Sequence, residues 1–231
     1  CNYDEIALLD NGECEYPILG YDCEGICIDE QACNYGINET ECLFAEPGYN
    51  CYGNELPEYQ VGDYAEGGII FYVDSTGVHG LVSALEDLTE GATIDIDGNP
   101  IFKWGCYGEE VGGADEVVIG TGYQNTLDIV NQGCLTENGE ITAAQAALDA
   151  EINGYSDWYL PSRDELYEMN NSIGFNGVNG AQSGGFKLHQ YYWSSSEMNI
   201  NFAYLDFIGC CSTQYYSYKT NYYRVRPIRS F

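Results

Sequence analysis

The sequence predicts an α+β architecture: a twisted antiparallel sheet with two to three helices and long loops, preceded by small disulfide-rich repeats. Three observations carry this expectation. Cysteines crowd the N-terminal segment in a repeated pattern, β-branched and aromatic runs bounded by turn residues flank the remainder at both ends, and helix-start signals lie between those runs. Composition changes near Val61, so residues 1–58 are assigned to two disulfide-stapled repeats and residues 59–231 to one larger domain.

The stretch opening at Cys1 answers to the one opening at Cys33: both begin Cys-Asn-Tyr, and Cys14 and Cys23 are spaced like Cys42 and Cys51. Cys27 reads as the leading cysteine of the second copy. Its counterpart in the first copy would lie upstream of Cys1, so further chain is expected on that side; a lipid-modified Cys1 is the competing account. Units this short and polar bury little, and each disulfide supplies about 2–4 kcal/mol instead. All 11 cysteines are expected in disulfides: Cys1, Cys14, Cys23, Cys27, Cys33, Cys42, Cys51, Cys106, Cys134, Cys210 and Cys211. Pairing within a repeat stays open at this level. The units resemble the CNY-type cysteine repeats of secreted proteins from marine Bacteroidetes-like bacteria, and the resemblance implies a spacer or stalk without chemistry of its own.

Charge excludes several classes of function. Seven Lys and Arg against 37 Asp and Glu give a formal net charge of −30, and Lys103 is the first basic residue in the chain. Such a surface repels nucleic acid and anionic lipid headgroups. Dense cysteine points to an oxidising, extracellular or cell-surface location. Zinc is not expected, because no Cys-x-x-Cys pair occurs and His79 and His189 lie far from the cysteine cluster. No apolar run approaches the roughly 20 residues that span a bilayer.

Within the larger domain, residues 69–73 and 80–84 read as a hairpin across the turn-rich residues 74–77. Residues 91–122 read as long ordered loops around Phe102, Lys103 and Trp104. Helices are expected over residues 126–131 and 141–152, and a third starts sharply after Pro161, where Ser162 and Glu165 form a capping box. A β-rich tail follows from Tyr191, with strands over residues 203–208 and 222–228.

The stretches GGIIFYVDSTGVHGLVSA, WGCYG, IGTGYQNT, GYSDWYLPSRDELYEM, YYWSSSE and the terminal YRVRPIRSF, in this order, resemble the Lcl C-terminal-type domain, which is similar in fold to C-type lectins and formylglycine-generating enzyme. The resemblance implies that the two ends of the domain meet in one sheet, with residues 68–73 near residues 223–228. Enzymes on related folds use a copper-binding cysteine pair or a three-histidine iron site. Two histidines cannot build the iron site, and disulfides from Cys210 and Cys211 to Cys106 and Cys134 are the simpler account of those cysteines. No copper, iron, zinc or nucleotide is therefore expected, and the domain reads as non-enzymatic.

Ser194, Ser195 and Ser196 beside Glu197 read as a polar strand end rather than a nucleophile. Asp95, Asp97 and Asn99 place oxygen side chains at alternate positions beside a glycine; this is the opening of a calcium loop without its closing glutamate, or else an acidic β-turn. Arg224 and Arg226 alternate onto one face of a strand, where salt bridges are expected.

The candidate ligand-binding residues are Tyr191, Trp193, Asn199, Asn201, Tyr204, Gln214, Tyr215, Tyr216, Tyr218 and Asn221. Tyrosine offers large amphipathic area at little entropy cost, and asparagine offers adaptable hydrogen bonds. This chemistry suits an adhesion module that binds an extracellular glycan or protein. The same surface, packed against further copies of the chain, would serve a structural subunit of an extracellular filament or matrix.

Overall fold

The computed structural model describes residues 26–28, 32–37, 42–46, 48–175, 177, 184–209 and 215–231. Cys1, Cys14, Cys23, Cys210, Cys211 and Gln214 lie outside the described residues. The chain divides into two compact units, Cys1–Glu58 and Tyr59–Phe231.

In the first unit Cys27 bridges to Cys42 and Cys33 to Cys51, an interlaced pair of crosslinks. Backbone bonds run between them: Gly36 N donates to Cys27 O at 2.8 Å and Cys33 N to Leu43 O at 2.6 Å. Cys27 is buried, whereas Tyr35, Leu43, Phe44 and Tyr52 are exposed. Among the described residues of this unit, crosslinks stand out more than an apolar core.

The second unit opens with β1 (Tyr64–Ala65), β2 (Gly68–Val73) and β3 (Gly80–Ser83), followed by the hairpin β4 (Thr93–Ile94) and β5 (Pro100–Lys103). Three helices follow: α1 (Gly122–Asn131), α2 (Ala143–Leu148) and α3 (Arg163–Ile173). The tail supplies β6 (Gln190–Asn199), β7 (Phe202–Ile208), β8 (Tyr215–Tyr218), β9 (Tyr222–Tyr223) and β10 (Ile228–Ser230). The strands form three sheets, ordered β1-β2-β3-β10, β4-β5-β9 and β6-β7-β8, and every pairing within them is antiparallel.

This is a mixed α+β unit, with two departures from the sequence reading. First, β2 does not lie beside the C-terminal strand: β10 pairs with β3, Ile228 opposite Ser83, so β3 separates them within the shared sheet. Second, residues 222–228 do not run as one strand. After Tyr223 the chain passes from β5 to β6, where Arg224 makes a parallel bridge with Tyr192, and Pro227, with no N–H to donate, precedes the separate strand β10.

Those arginines converge on one carboxylate. Asp87 accepts from Arg224 Nη1 at 2.7 Å and from Arg226 Nη2 and Nε at 2.6 and 2.9 Å, while the Tyr192 hydroxyl donates to it at 3.0 Å. Arg226 also donates to the carbonyls of Ala84, Leu85 and Gly184, and its guanidinium lies 4.3 Å from the Phe186 ring centroid. The tail is thereby fixed to the loop after β3.

Three of the six resemblance motifs each place a tryptophan in the core. Trp104, Trp158 and Trp193 are fully buried, and each indole N–H finds a carbonyl: Ser194 O at 2.9 Å, Tyr155 O at 3.1 Å and Phe102 O at 2.9 Å respectively. The alanine-rich α2 buries Ala143, Ala144, Ala146 and Ala147, and is shorter than expected because Asp149 caps it.

The capping box of α3 forms as read: Ser162 N donates to Glu165 Oε2 at 2.7 Å and Glu165 N to Ser162 Oγ at 3.3 Å. Glu165 also accepts from Gly120 N, and a Cβ at Gly122 would stand 2.1 Å from its Oε2. The glycine at the start of α1 is what lets the two helix beginnings meet.

Cys106 and Cys134 are joined to each other, with Cα atoms 4.8 Å apart, which corrects the expected pairing of each with Cys210 or Cys211. The crosslink ties the loop after β5 to the end of α1. Peptide mapping of unreduced protein should yield a Cys106–Cys134 peptide, and replacing both residues by serine should destabilise the domain by about 2–4 kcal/mol in urea unfolding.

Between α3 and β7, Asp206 accepts from Asn170 Nδ2 at 2.9 Å and from Phe207 N at 2.8 Å. Burial pushes its carboxyl up to about 6, with both hydrogen bonds opposing. A carboxyl raised in the folded state holds its proton longer there than in the unfolded chain. Its contribution to stability is therefore greatest below the ordinary carboxylate range and falls as pH rises through about 6. Between about pH 4 and pH 7 the wild type should lose about 2–3 kcal/mol relative to Asp206→Asn. Urea midpoints across that window measure this, and a difference independent of pH would count against it.

Candidate recognition surface

Strand parity sorts the aromatic residues of the tail. In β8, Tyr216 and Tyr218 are exposed while Tyr215 and Ser217 are half-buried. The register sets Tyr216 opposite Tyr204 and Tyr218 opposite Phe202, so these four share the outward face. Phe202 lies between the two exposed tyrosines, its ring 5.5 Å from Tyr216 and 4.3 Å from Tyr218.

The patch extends beyond the sheet. Tyr107, 46% exposed, stands edge-on 6.4 Å from Tyr218. Gly108 N donates to Ile200 O at 2.8 Å, which brings this loop to the turn joining β6 and β7, where Ile200 and, at the end of β6, Met198 are also exposed. Arg163, paired with Asp164 at 2.8 Å, lies over the Tyr204 ring at 5.2 Å and forms the rim on the α3 side.

A buried cation supports the platform from beneath. Lys219, next to Tyr218 in sequence, is withdrawn from solvent, with its ammonium 4.5 Å from the Trp104 ring centroid. It donates to Glu197 Oε1 and to the carbonyls of Cys106 and Glu109 at 3.3 and 3.1 Å. Glu197 in turn accepts from Val111 N at 3.1 and 3.2 Å. Burial pulls the lysine below its usual range, and the Glu197 carboxylate opposes that pull. The loop carrying Tyr107 is thus pinned to the strand end carrying Tyr218.

Of the candidate binding residues, Tyr204, Tyr216 and Tyr218 meet on this face. Trp193 does not: it is fully buried and bonded to Phe102 O, which corrects its assignment to a ligand surface. Tyr191 and Tyr215 are half-buried in an internal ring cluster, with Tyr191 packed 4.9 Å from Phe207, 5.6 Å from Tyr215 and 5.5 Å from Tyr223. The asparagines build turns. Asn199 Oδ1 accepts from Asn201 N and Phe202 N, Asn201 O accepts from Lys219 N, and Asn221 Nδ2 donates to Ser217 Oγ. Sequence reading missed Tyr107, Met198, Ile200 and Phe202. The alternation of Phe202 and Tyr204 with Ala203 and Leu205 was the available signal.

Ser194, Ser196, Asp95 and Asn99 are engaged internally. Ser194 and Ser196 donate to the carbonyls of Tyr204 and Glu116 at 2.8 and 2.7 Å, and both are buried. Asp95 turns the β4–β5 hairpin: Oδ1 accepts from Asp97 N and Asn99 N, and Oδ2 from Asn99 Nδ2 at 2.8 Å. Those bonds with Asn99 hold the Asp95 carboxyl below the usual range. Asn99 Oδ1 is taken by Arg224 Nη2. Among the described residues, no three His, Cys, Asp or Glu side chains are grouped so as to hold a metal ion.

No family model and no curated protein matches the chain. Among solved structures it is similar to a fimbrial protein from Bacteroides ovatus ATCC 8483, with a TM-score of 0.46 and 15% sequence identity over 80% of this chain and 49% of that one. The chain spans about half the length of that protein.

Replacing Lys219 by methionine keeps the apolar stem but strands a buried carboxylate, so Lys219→Met should cost about 3–5 kcal/mol of stability in denaturant. Hydrogen exchange over residues 105–114 should rise with it, whereas a purely global effect would speed exchange uniformly.

Proposed function

We propose that the unit Tyr59–Phe231 is a non-catalytic extracellular recognition module that docks through the platform of Tyr107, Phe202, Tyr204, Tyr216 and Tyr218. The observation that carries this reading is a contiguous aromatic face, with Tyr107, Tyr216 and Tyr218 exposed, on a chain whose formal charge is −30. Five of its seven basic residues, Lys103, Lys219, Arg224, Arg226 and Arg229, are buried, so solvent meets chiefly carboxylates elsewhere. A partner that avoids desolvating those carboxylates settles on the aromatic face. Neutral glycan rings and tyrosine-compatible protein surfaces fit it; anionic glycans do not.

Three disulfides among the described residues support an oxidising, extracellular or surface setting, and no helix of the described residues is long and apolar enough to cross a membrane. The same face would also serve contact between copies, as a filament subunit requires.

Glycan arrays and cell-binding assays on wild type, Tyr216→Ala and Tyr218→Ala test the reading, alongside sedimentation velocity. Each exposed tyrosine should account for at least about a tenfold loss of affinity, with unchanged thermal stability. Loss of self-association in the same variants, without loss of ligand, assigns the face to subunit contacts. Well-folded variants that bind and sediment as wild type would sink the proposal.

A further inference from the structure

A concave feature lies elsewhere in the same unit, formed by the loop after β3 and the end of α2. It is a cleft of about 550 Å³. Its floor is apolar, made by Leu88, Ala146 and Ala150, with Ile141 and Ile152 at the sides. Its rim carries Glu86, Glu90, Asp149 and Glu151. Asp87 also lines it, but that carboxylate is neutralised by Arg224 and Arg226.

None of the four rim carboxylates takes part in an ion pair among the described residues. Among the described residues, every basic side chain except Lys187 is committed to another ion pair: Lys103 to Glu137, Arg163 to Asp164, Lys219 to Glu197, Arg224 and Arg226 to Asp87, and Arg229 to Asp157. None of these pairs involves a rim residue. Asp149 and Glu151 moreover follow the C-terminal end of α2, where the helix carbonyls already set a negative potential. Repulsion is thus concentrated around a hollow with a greasy floor.

The shape of that charge selects the occupant. A single metal ion needs three or more ligands converging on one point, and no such group occurs among the described residues. Carboxylates spread round an apolar hollow match a cation spread along an apolar stem. We infer that the cleft receives lysine or arginine side chains from an extended basic segment of a partner protein, stems on Leu88 and Ala150 and heads among Glu86, Glu90, Asp149 and Glu151. This site is separate from the aromatic platform and stands or falls independently of it.

Fluorescence anisotropy of the full chain with a short labelled peptide alternating leucine and arginine tests this, with the citrulline version as the neutral isostere. Saturable binding is expected, weakened at least about tenfold by Glu90→Gln combined with Asp149→Asn. Asp97→Asn combined with Asp115→Asn removes the same charge outside the cleft and should leave affinity within about twofold. Tyr216→Ala should not change peptide binding. Equal weakening by both double variants would reduce the effect to the general field and overturn the inference. So would undiminished binding by the Glu90/Asp149 variant, or equal affinity for the citrulline peptide.

Discussion

The structure depends on how an acidic chain disposes of its few cations. With seven basic residues against 37 acidic ones, each cation placed at the surface would be lost in a field of carboxylates. Instead five are drawn inside and matched to chosen partners. Buried pairs of this kind add little net stability over an apolar core, since desolvation offsets most of the attraction. What they impose is geometry, because a charge that must find its partner tolerates few alternative packings. Asp87, gripped by Arg224 and Arg226, fixes the C-terminal tail against the loop after β3. Lys219, held by Glu197 and two backbone carbonyls, fixes the loop after β5 against the end of β8.

The second arrangement links packing to recognition. Tyr107 and Tyr218 come from segments far apart in sequence and touch only because Lys219 and the Cys106–Cys134 crosslink hold the intervening loop. Ring positions on β7 and β8 are set differently, by strand register, with Phe202 and Tyr204 opposite Tyr218 and Tyr216. An aromatic face assembled on a sheet and clamped at its edge loses little conformational entropy when it is covered, which is the condition for useful affinity from a small patch.

Local signals in the sequence were legible where they report on neighbours in the chain. The capping box at Ser162 and Glu165, the hairpin of β2 and β3, and the ion pairing of Arg224 and Arg226 all formed. Signals that depend on distant partners were not. The β4–β5 hairpin lies in a Gly- and Asp-rich stretch that carries no alternation, and its second strand is completed by Tyr222 and Tyr223 from the tail. Cys106 finds Cys134 through the packing of α1, which no spacing rule contains. Counting tyrosines overcounted the exposed surface, since Tyr191 and Tyr215 are half-buried. A register slip of one residue exchanges faces, and the irregularity between Trp193 and Glu197 shifts the parity that a regular strand would keep.

Neutralising the interior leaves the outer surface almost purely anionic, and that surface then divides potential partners by chemistry. On the proposed reading an uncharged or aromatic partner would gain by settling on the platform, where contact removes apolar area from water. A cationic partner would gain most where carboxylates ring an apolar floor, as around Leu88 between the β3 loop and α2. The cations consumed in building the fold therefore also shape its outer field, since each arginine or lysine drawn inward is one fewer to soften that field.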